Sequence, residues 1–150
     1  MLLTGQRLNE AAYMTDAELP EVDHWHLSSS RTKNALRHDV FLPSQAQHII
    51  NRNTRIAGNA GFVFTTTGEG AVRSFDKPNK RLRKRMNELA GCELEHFTPH
   101  DLRRTCETGL AMLGTPQPII DRITNHITGR GMARVYNLSL IHISEPTRPS

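Results

Sequence analysis

Two Thr-Pro pairs, Thr98-Pro99 and Thr115-Pro116, constrain this chain more than any other feature. A threonine side chain can accept from the free amides of a helix's first turn, and proline in the first helical position gives up no hydrogen bond there. The pairs therefore predict two helix starts. One helix begins at His100 and runs to Leu113-Gly114; the other carries Ile119, Ile120 and Ile123. A further helix opens at Asp76-Lys77-Pro78 and closes at Ala90-Gly91, where glycine can take the left-handed conformation of a C-cap. The front of the chain reads differently. Residues 23–28 (DHWHLS) and 38–42 (HDVFL) alternate apolar and polar side chains as half-buried strands do. The polar turn 29–34 between them makes a β-hairpin with Lys33 near its tip. Residues 2–13 read as a helix, and Pro43-Ser44 stops the second strand and caps a helix through Ile49 and Ile50. Gly61-Phe62-Val63-Phe64 is a short apolar run ahead of a loop rich in Thr and Gly. The fold class expected is α+β, mainly α-helical, with a small antiparallel hairpin near the N-terminus.

Composition narrows the setting. The 150 residues suffice for one modest core. No apolar run approaches the length of a membrane span, and Gln6, Arg7 and Asn9 directly behind Leu2 and Leu3 do not make a secretory signal. Cys92 and Cys106 lie far apart without a CxxC spacing, which suits a reducing compartment, so a cytoplasmic protein is expected. His24-Trp25-His26 puts two imidazoles on one side of a strand, but no carboxylate or third ligand is apparent in the sequence, so no metal is expected there. His96 and His100 are four apart, yet Pro99 starts the helix between them. The formal charge is +4, and Lys80, Arg81, Arg83, Lys84 and Arg85 put five positive charges in six positions. Such a cluster fits a polyanionic partner and equally fits a solvated helix face.

The string His100-Asp101-Leu102-Arg103-Arg104-Thr105 carries the chemistry. On a helix, His100 and Arg103 share a face, while Arg104 points elsewhere. A helix start often carries a His and an Arg for capping or solubility, so the pair alone is weak. Its neighbours add weight: Thr4-Gly5-Gln6-Arg7-Leu8-Asn9-Glu10, Arg31-Thr32-Lys33-Asn34, Asn125-His126, and Val135-Tyr136-Asn137. The ordered set resembles the catalytic domain of the tyrosine recombinase (phage integrase) family, over residues 1–137. The resemblance implies site-specific DNA cleavage and rejoining through a 3′-phosphotyrosyl intermediate, with Tyr136 as nucleophile and Arg7, Lys33, His100, Arg103 and His126 as the other catalytic residues.

The chemistry explains these residue types. A phosphodiester is anionic, and two arginines can fork hydrogen bonds onto its non-bridging oxygens as the transition state gains charge. Tyrosine has a pKa of about 10 and must lose its proton during attack. His100 is the candidate acceptor, with His126 near a phosphate oxygen or the leaving group. Lys33 could protonate the leaving 5′-hydroxyl. No cofactor is called for, since the arginines stand where a divalent metal otherwise would. Double-stranded DNA is the implied partner, with Lys80, Arg81, Arg83, Lys84, Arg85 and Arg104 as DNA-binding candidates, and the family implies a homo-tetramer on DNA.

Each residue also has a plain reading. Arg7 with Glu10 is an i,i+3 helix pair, Lys33 a turn lysine, His126 a helix end, and Tyr136 a half-buried aromatic. The alternative function is a non-catalytic DNA-binding fragment of the same family. An RNA-binding helical protein is disfavoured by the scarcity of aromatics, one Trp, two Tyr and five Phe. The family places a helical DNA-clamping domain ahead of the catalytic one, so this chain is expected to begin mid-domain. Residues 138–150 resemble the conceptual translation of a sequencing-library adapter and are expected to be a non-native tail.

Overall fold

The hairpin forms where the alternation predicts it. The computed structural model describes residues 1–56, 58 and 61–126. Strand β1 (His24–Leu27) pairs antiparallel with β2 (His38–Phe41), with Trp25 opposite Val40 and His26 opposite Asp39. Trp25, Leu27 and Val40 turn inward and meet Met14, Leu42, Ala46, Ile50 and Val63 in the core. The indole of Trp25 donates to Glu18 Oε2 at 3.0 Å, so the buried ring keeps its polar atom satisfied. The apolar run 61–64 supplies Val63, whose amide donates to the Met14 carbonyl at 2.9 Å. Helix α2 (Ser44–Arg52) covers the core with Ala46 and Ile50 while Ile49 faces outward. Its N-cap is Pro43 and no side chain caps it, so Ser44 is the first helical residue and not the expected cap.

The expected helix over 2–13 is much shorter. Gly5 takes φ +69 and its amide closes a turn onto the Met1 carbonyl at 2.8 Å. Arg7 is then extended, and α1 (Leu8–Ala12) begins after it, with Glu10 Oε2 accepting the Arg7 amide at 2.9 Å. The glycine is required: a Cβ there would stand 3.0 Å from Thr124 Cγ2 and 3.5 Å from Cys106 Sγ, in a backbone conformation that side chains disfavour.

The helical half follows its punctuation. Helix α3 (Asp76–Ala90) ends on Gly91 at φ +66. Helix α4 (Pro99–Met112) starts behind Thr98 with Pro99 in its first turn, and Asp101 Oδ2 accepts the Thr98 amide at 2.8 Å. Helix α5 (Gln117–Ile123) starts one residue later than the Thr-Pro signal placed it, with Pro116 as the cap. No helix of the described residues is long and apolar enough to cross a membrane.

The outer face of the hairpin corrects the expectation that no carboxylate accompanies His24 and His26. Asp39 arrives beside His26 through the cross-strand register, and Glu21 and Asp23 stand by His24. The two imidazoles are therefore surrounded by carboxylates.

Candidate active site

The C-terminal end of α5 organises the site. A helix leaves its last carbonyls without intrahelical partners, and these carry partial negative charge. Asn125 terminates α5 in the left-handed conformation, φ +53. The amide of His126 then reaches the Asp121 carbonyl at 2.7 Å, and that of Asn125 reaches Arg122 at 3.2 Å. This is the Schellman arrangement, which asparagine tolerates well, and it explains the Asn-His dipeptide locally.

The next three carbonyls accept side chains from distant segments. Ile123 accepts from Gln6 Nε2 at 2.7 Å and lies 3.2 Å from His38 Nε2. Thr124 accepts from Arg103 Nη2 at 2.6 Å. Asn125 accepts from Arg7 Nη2 at 3.3 Å and from Asn34 Nδ2 at 3.4 Å. Two adjacent carbonyls thus hold two different arginines, and the hairpin connection docks on the second.

The arginines differ in setting. Arg103 is 1% exposed; it also donates to the Gly5 carbonyl at 2.6 Å and to Glu107 Oε1 at 3.1 Å. Burial, and after it the neighbouring charge of Arg7, lower its pKa from the usual arginine value. Arg7 is one-quarter exposed and pairs with the buried Glu10 at 3.1 Å. Arg7 and Glu10 do pair three positions apart, but as a cap contact and not a pair within a helix, since Arg7 is extended ahead of α1. The pair coexists with the placement of Arg7 beside Arg103.

His126 is partly exposed, with Nδ1 3.9 Å from Glu107 Oε1. One carboxylate thereby stands between Arg103 and His126. Lys33 is exposed in the hairpin connection, next to the docked Asn34, whose Nδ2 also reaches Asn125 Oδ1 at 2.5 Å. His100 is exposed in the first turn of α4, one turn before Arg103. Tyr136 lies outside the described residues. The structure brings together Arg7, Arg103 and His126, with the segment that carries Lys33.

The basic candidates stand apart from this cluster. Lys80, Arg81, Lys84 and Arg85 are exposed on one side of α3, and Arg83 is half-buried. Arg83 lies 3.7 Å from Glu93 and Arg85 lies 3.2 Å from Glu88. Arg104 is exposed and faces Asp101 at 3.6 Å, away from Arg103 as the helical spacing predicts.

The phage integrase family profile matches residues 1–140. The chain belongs to the phage integrase family. Among solved structures, this family member is similar to the Tn1549 transposon integrase in complex with circular intermediate DNA, with a TM-score of 0.65 at 21% identity over 97% of this chain and 52% of that chain. The same integrase in complex with transposon right end DNA gives 0.67 at 20% identity, over 93% and 56%. The XerA recombinase gives 0.66 at 14% identity, over 97% and 55%. At these identities the likeness is one of fold, and the chain spans about half the length of each of these structures. No curated protein sequence matches it.

Residues that the motif reading passed over now have places. Gln6, Asn34, His38 and Glu107 all contact the α5 terminus or the residues it holds. Only Glu107 had a usable signal, four residues after Arg103 on the same helix face.

Proposed function

We propose that this chain is the catalytic part of a site-specific recombinase that cleaves and rejoins double-stranded DNA through a 3′-phosphotyrosyl intermediate. The observation that carries it is the pairing of Arg7 and Arg103 on the adjacent carbonyls of Asn125 and Thr124. Two guanidinium groups from segments far apart in sequence share one small site, and the cost of bringing like charges together is met before any substrate binds. Such preorganised positive charge suits an anion that becomes more negative in its transition state.

The two arginines divide the work. Arg7 is the one solvent reaches, so it takes the non-bridging phosphate oxygens directly. Arg103 has five N–H groups, and three already go to Glu107, Gly5 and Thr124. It keeps two, and its charge supports the phosphate from behind. His126, which Glu107 faces, sits at the edge of the pair and donates to a phosphate oxygen. Lys33, on the docked hairpin connection, protonates the leaving 5′-oxygen. Tyr136 attacks phosphorus as its phenol proton leaves, with His100 as acceptor, and the new ester conserves the bond energy for rejoining. Assembly of four copies on DNA belongs to this reading.

The test is trapping on a nicked suicide DNA substrate. A covalent adduct that withstands denaturant and disappears in Tyr136→Phe is expected. Retention that is only reversible and salt-sensitive overturns the catalytic reading and leaves a DNA-binding fragment.

A further inference from the structure

We propose that Glu21, Asp23, His24 and His26 form a binding site for a divalent transition-metal ion of the zinc class on the outer face of the hairpin. Alternation along β1 points both imidazoles away from the core, since Trp25 and Leu27 turn inward. The rings are nearly parallel, 6.2 Å apart at 12°. The Glu21 carboxylate lies between them, with Oε2 3.4 Å from His24 Nδ1 and Oε1 3.9 Å from His26 Nε2. Asp23 Oδ1 is 2.8 Å from His24 Nδ1. One donor atom each from Glu21, Asp23 and His24 lie within 4.8 Å of one another. Around zinc, with bonds of about 2.0–2.2 Å, tetrahedral donors stand roughly 3.3–3.5 Å apart. Glu21, Asp23 and His24 therefore need only small side-chain rotations to share one ion. His26, whose Nε2 is 3.9 Å from Glu21 Oε1 but outside that group of three, supplies the fourth donor by moving toward them.

A separate observation concerns the orientation of His26. Its Nδ1 is engaged by Asp39 Oδ1 at 2.5 Å, and Asp39 is held in turn by Arg37 Nε at 3.3 Å. A metal-binding histidine ordinarily gives its other ring nitrogen to a carboxylate, which fixes the tautomer and aims the free nitrogen at the ion. Here Asp39 occupies one ring nitrogen and leaves Nε2 facing Glu21. The edge of Phe41 against His24, at 5.8 Å, steadies the other ring. Charge agrees, since Glu21, Asp23 and Asp39 bring three carboxylates and Arg37 one cation. Two imidazole donors select a borderline ion of the zinc, nickel or cobalt kind over magnesium or calcium. The site is on the opposite face of the sheet from His38, which reaches α5, so it braces the hairpin and takes no part in the phosphate chemistry.

Titration of zinc chloride into the chelator-treated, tag-free full chain, followed by calorimetry near neutral pH, tests this. One equivalent binds, with micromolar or tighter affinity. His24→Ala and His26→Ala each weaken binding by at least about tenfold, and Asp39→Asn weakens it by about 10–100-fold although it supplies no ligand. His48→Ala, an exposed histidine on α2, leaves binding unchanged. The substituted side chains face solvent, and circular dichroism confirms that each variant folds. Cobalt(II) in place of zinc gives the visible absorption of a tetrahedral ion in the wild type and loses it in His26→Ala. Absence of saturable binding, or equal affinity in wild type, His24→Ala and His26→Ala, overturns the proposal.

Discussion

Arg7 and Arg103 carry the same group into the same site, yet substitution separates them. Arg103→Ala leaves the carbonyls of Gly5 and Thr124 and the carboxylate of Glu107 without their donor in a buried setting. Loss of such a charged, hydrogen-bonded anchor costs about 3 kcal/mol, a fall in Tm of roughly 10 °C for a chain of this size. Arg7→Ala removes the side-chain partner of the buried Glu10 and one longer bond to Asn125, but the Arg7 amide still holds Glu10 Oε2, so the cost should be smaller, about 1–2 kcal/mol. It should nonetheless lower covalent adduct formation by about a hundredfold or more if it holds the phosphate. Thermal denaturation beside suicide-substrate trapping reads both effects. Equal loss of Tm in the two variants would contradict the division of roles. The arginines themselves were legible in the sequence because the motifs carry side-chain chemistry. What receives them was not, because Gly5, Thr124 and Asn125 act through main-chain carbonyls, which every residue has. For the same reason nothing in Gln6 or His38 announced a shared acceptor at Ile123.

At the scale of elements, helix starts and the hairpin were readable from local chemistry, whereas docking was not. Thr98, Pro99 and Gly91 act on their own neighbours, so their meaning is local. Gly5 broke the helix expected over 2–13 because its backbone must approach Thr124 and Cys106, far away in sequence. The same logic hid Asp39, which comes to His26 by strand pairing, whereas Glu21 and Asp23 lie three and one residues before His24 and were there to be read in the sequence. Two predictions concern how α5 receives the hairpin and the first turn. Asn125 sits at φ +53, and Asn125→Ala should cost about 1–2 kcal/mol from the left-handed backbone, with further loss from the bond to Asn34. Asn125→Gly removes only the latter, so its Tm should lie above that of Asn125→Ala; the reverse order in thermal melts would refute the assignment.

His38 makes the docking pH-dependent. Burial lowers its pKa from the ordinary value, against the opposing effects of the Ile123 carbonyl, Glu10 and Asp39, while Arg7 lowers it further. The unfolded chain then binds the proton more readily than the folded one between the two pKa values. Stability from neutral His38 is fully present above about pH 6.5 and is lost as pH falls through the folded pKa. His38→Gln keeps a donor for Ile123 and removes this titration. The advantage of wild type over His38→Gln should therefore shrink as pH is lowered from about 7.5 to about 5. Denaturant midpoints at each pH measure it, and parallel curves for the two proteins would rule it out.

Across the whole molecule, positive charge is arranged in two ways with different consequences. In the site, Arg7 and Arg103 are fixed by contacts that span most of the chain, from Gly5 and Arg7 to Thr124 and Asn125. On α3, Lys80, Arg81 and Lys84 are exposed on a helix that buries none of its residues, while Glu93 and Glu88 attend Arg83 and Arg85. A fixed pair suits one phosphate in one geometry; a solvated stripe suits any duplex and carries no sequence information. If the stripe binds DNA, its signature is the salt dependence. Each phosphate neutralised contributes about −0.9 to the slope of log K against log salt, so replacing Lys80, Arg81 and Lys84 by alanine should reduce the magnitude by up to about 2.7, three times that value. Arg85→Ala should change it less, because Glu88 already meets that charge. Fluorescence anisotropy with a labelled duplex over a range of salt reads the slopes. A triple variant with the wild-type slope would mean that α3 is a solvated face, and DNA binding would then have to rest on the arginine pair and Lys33.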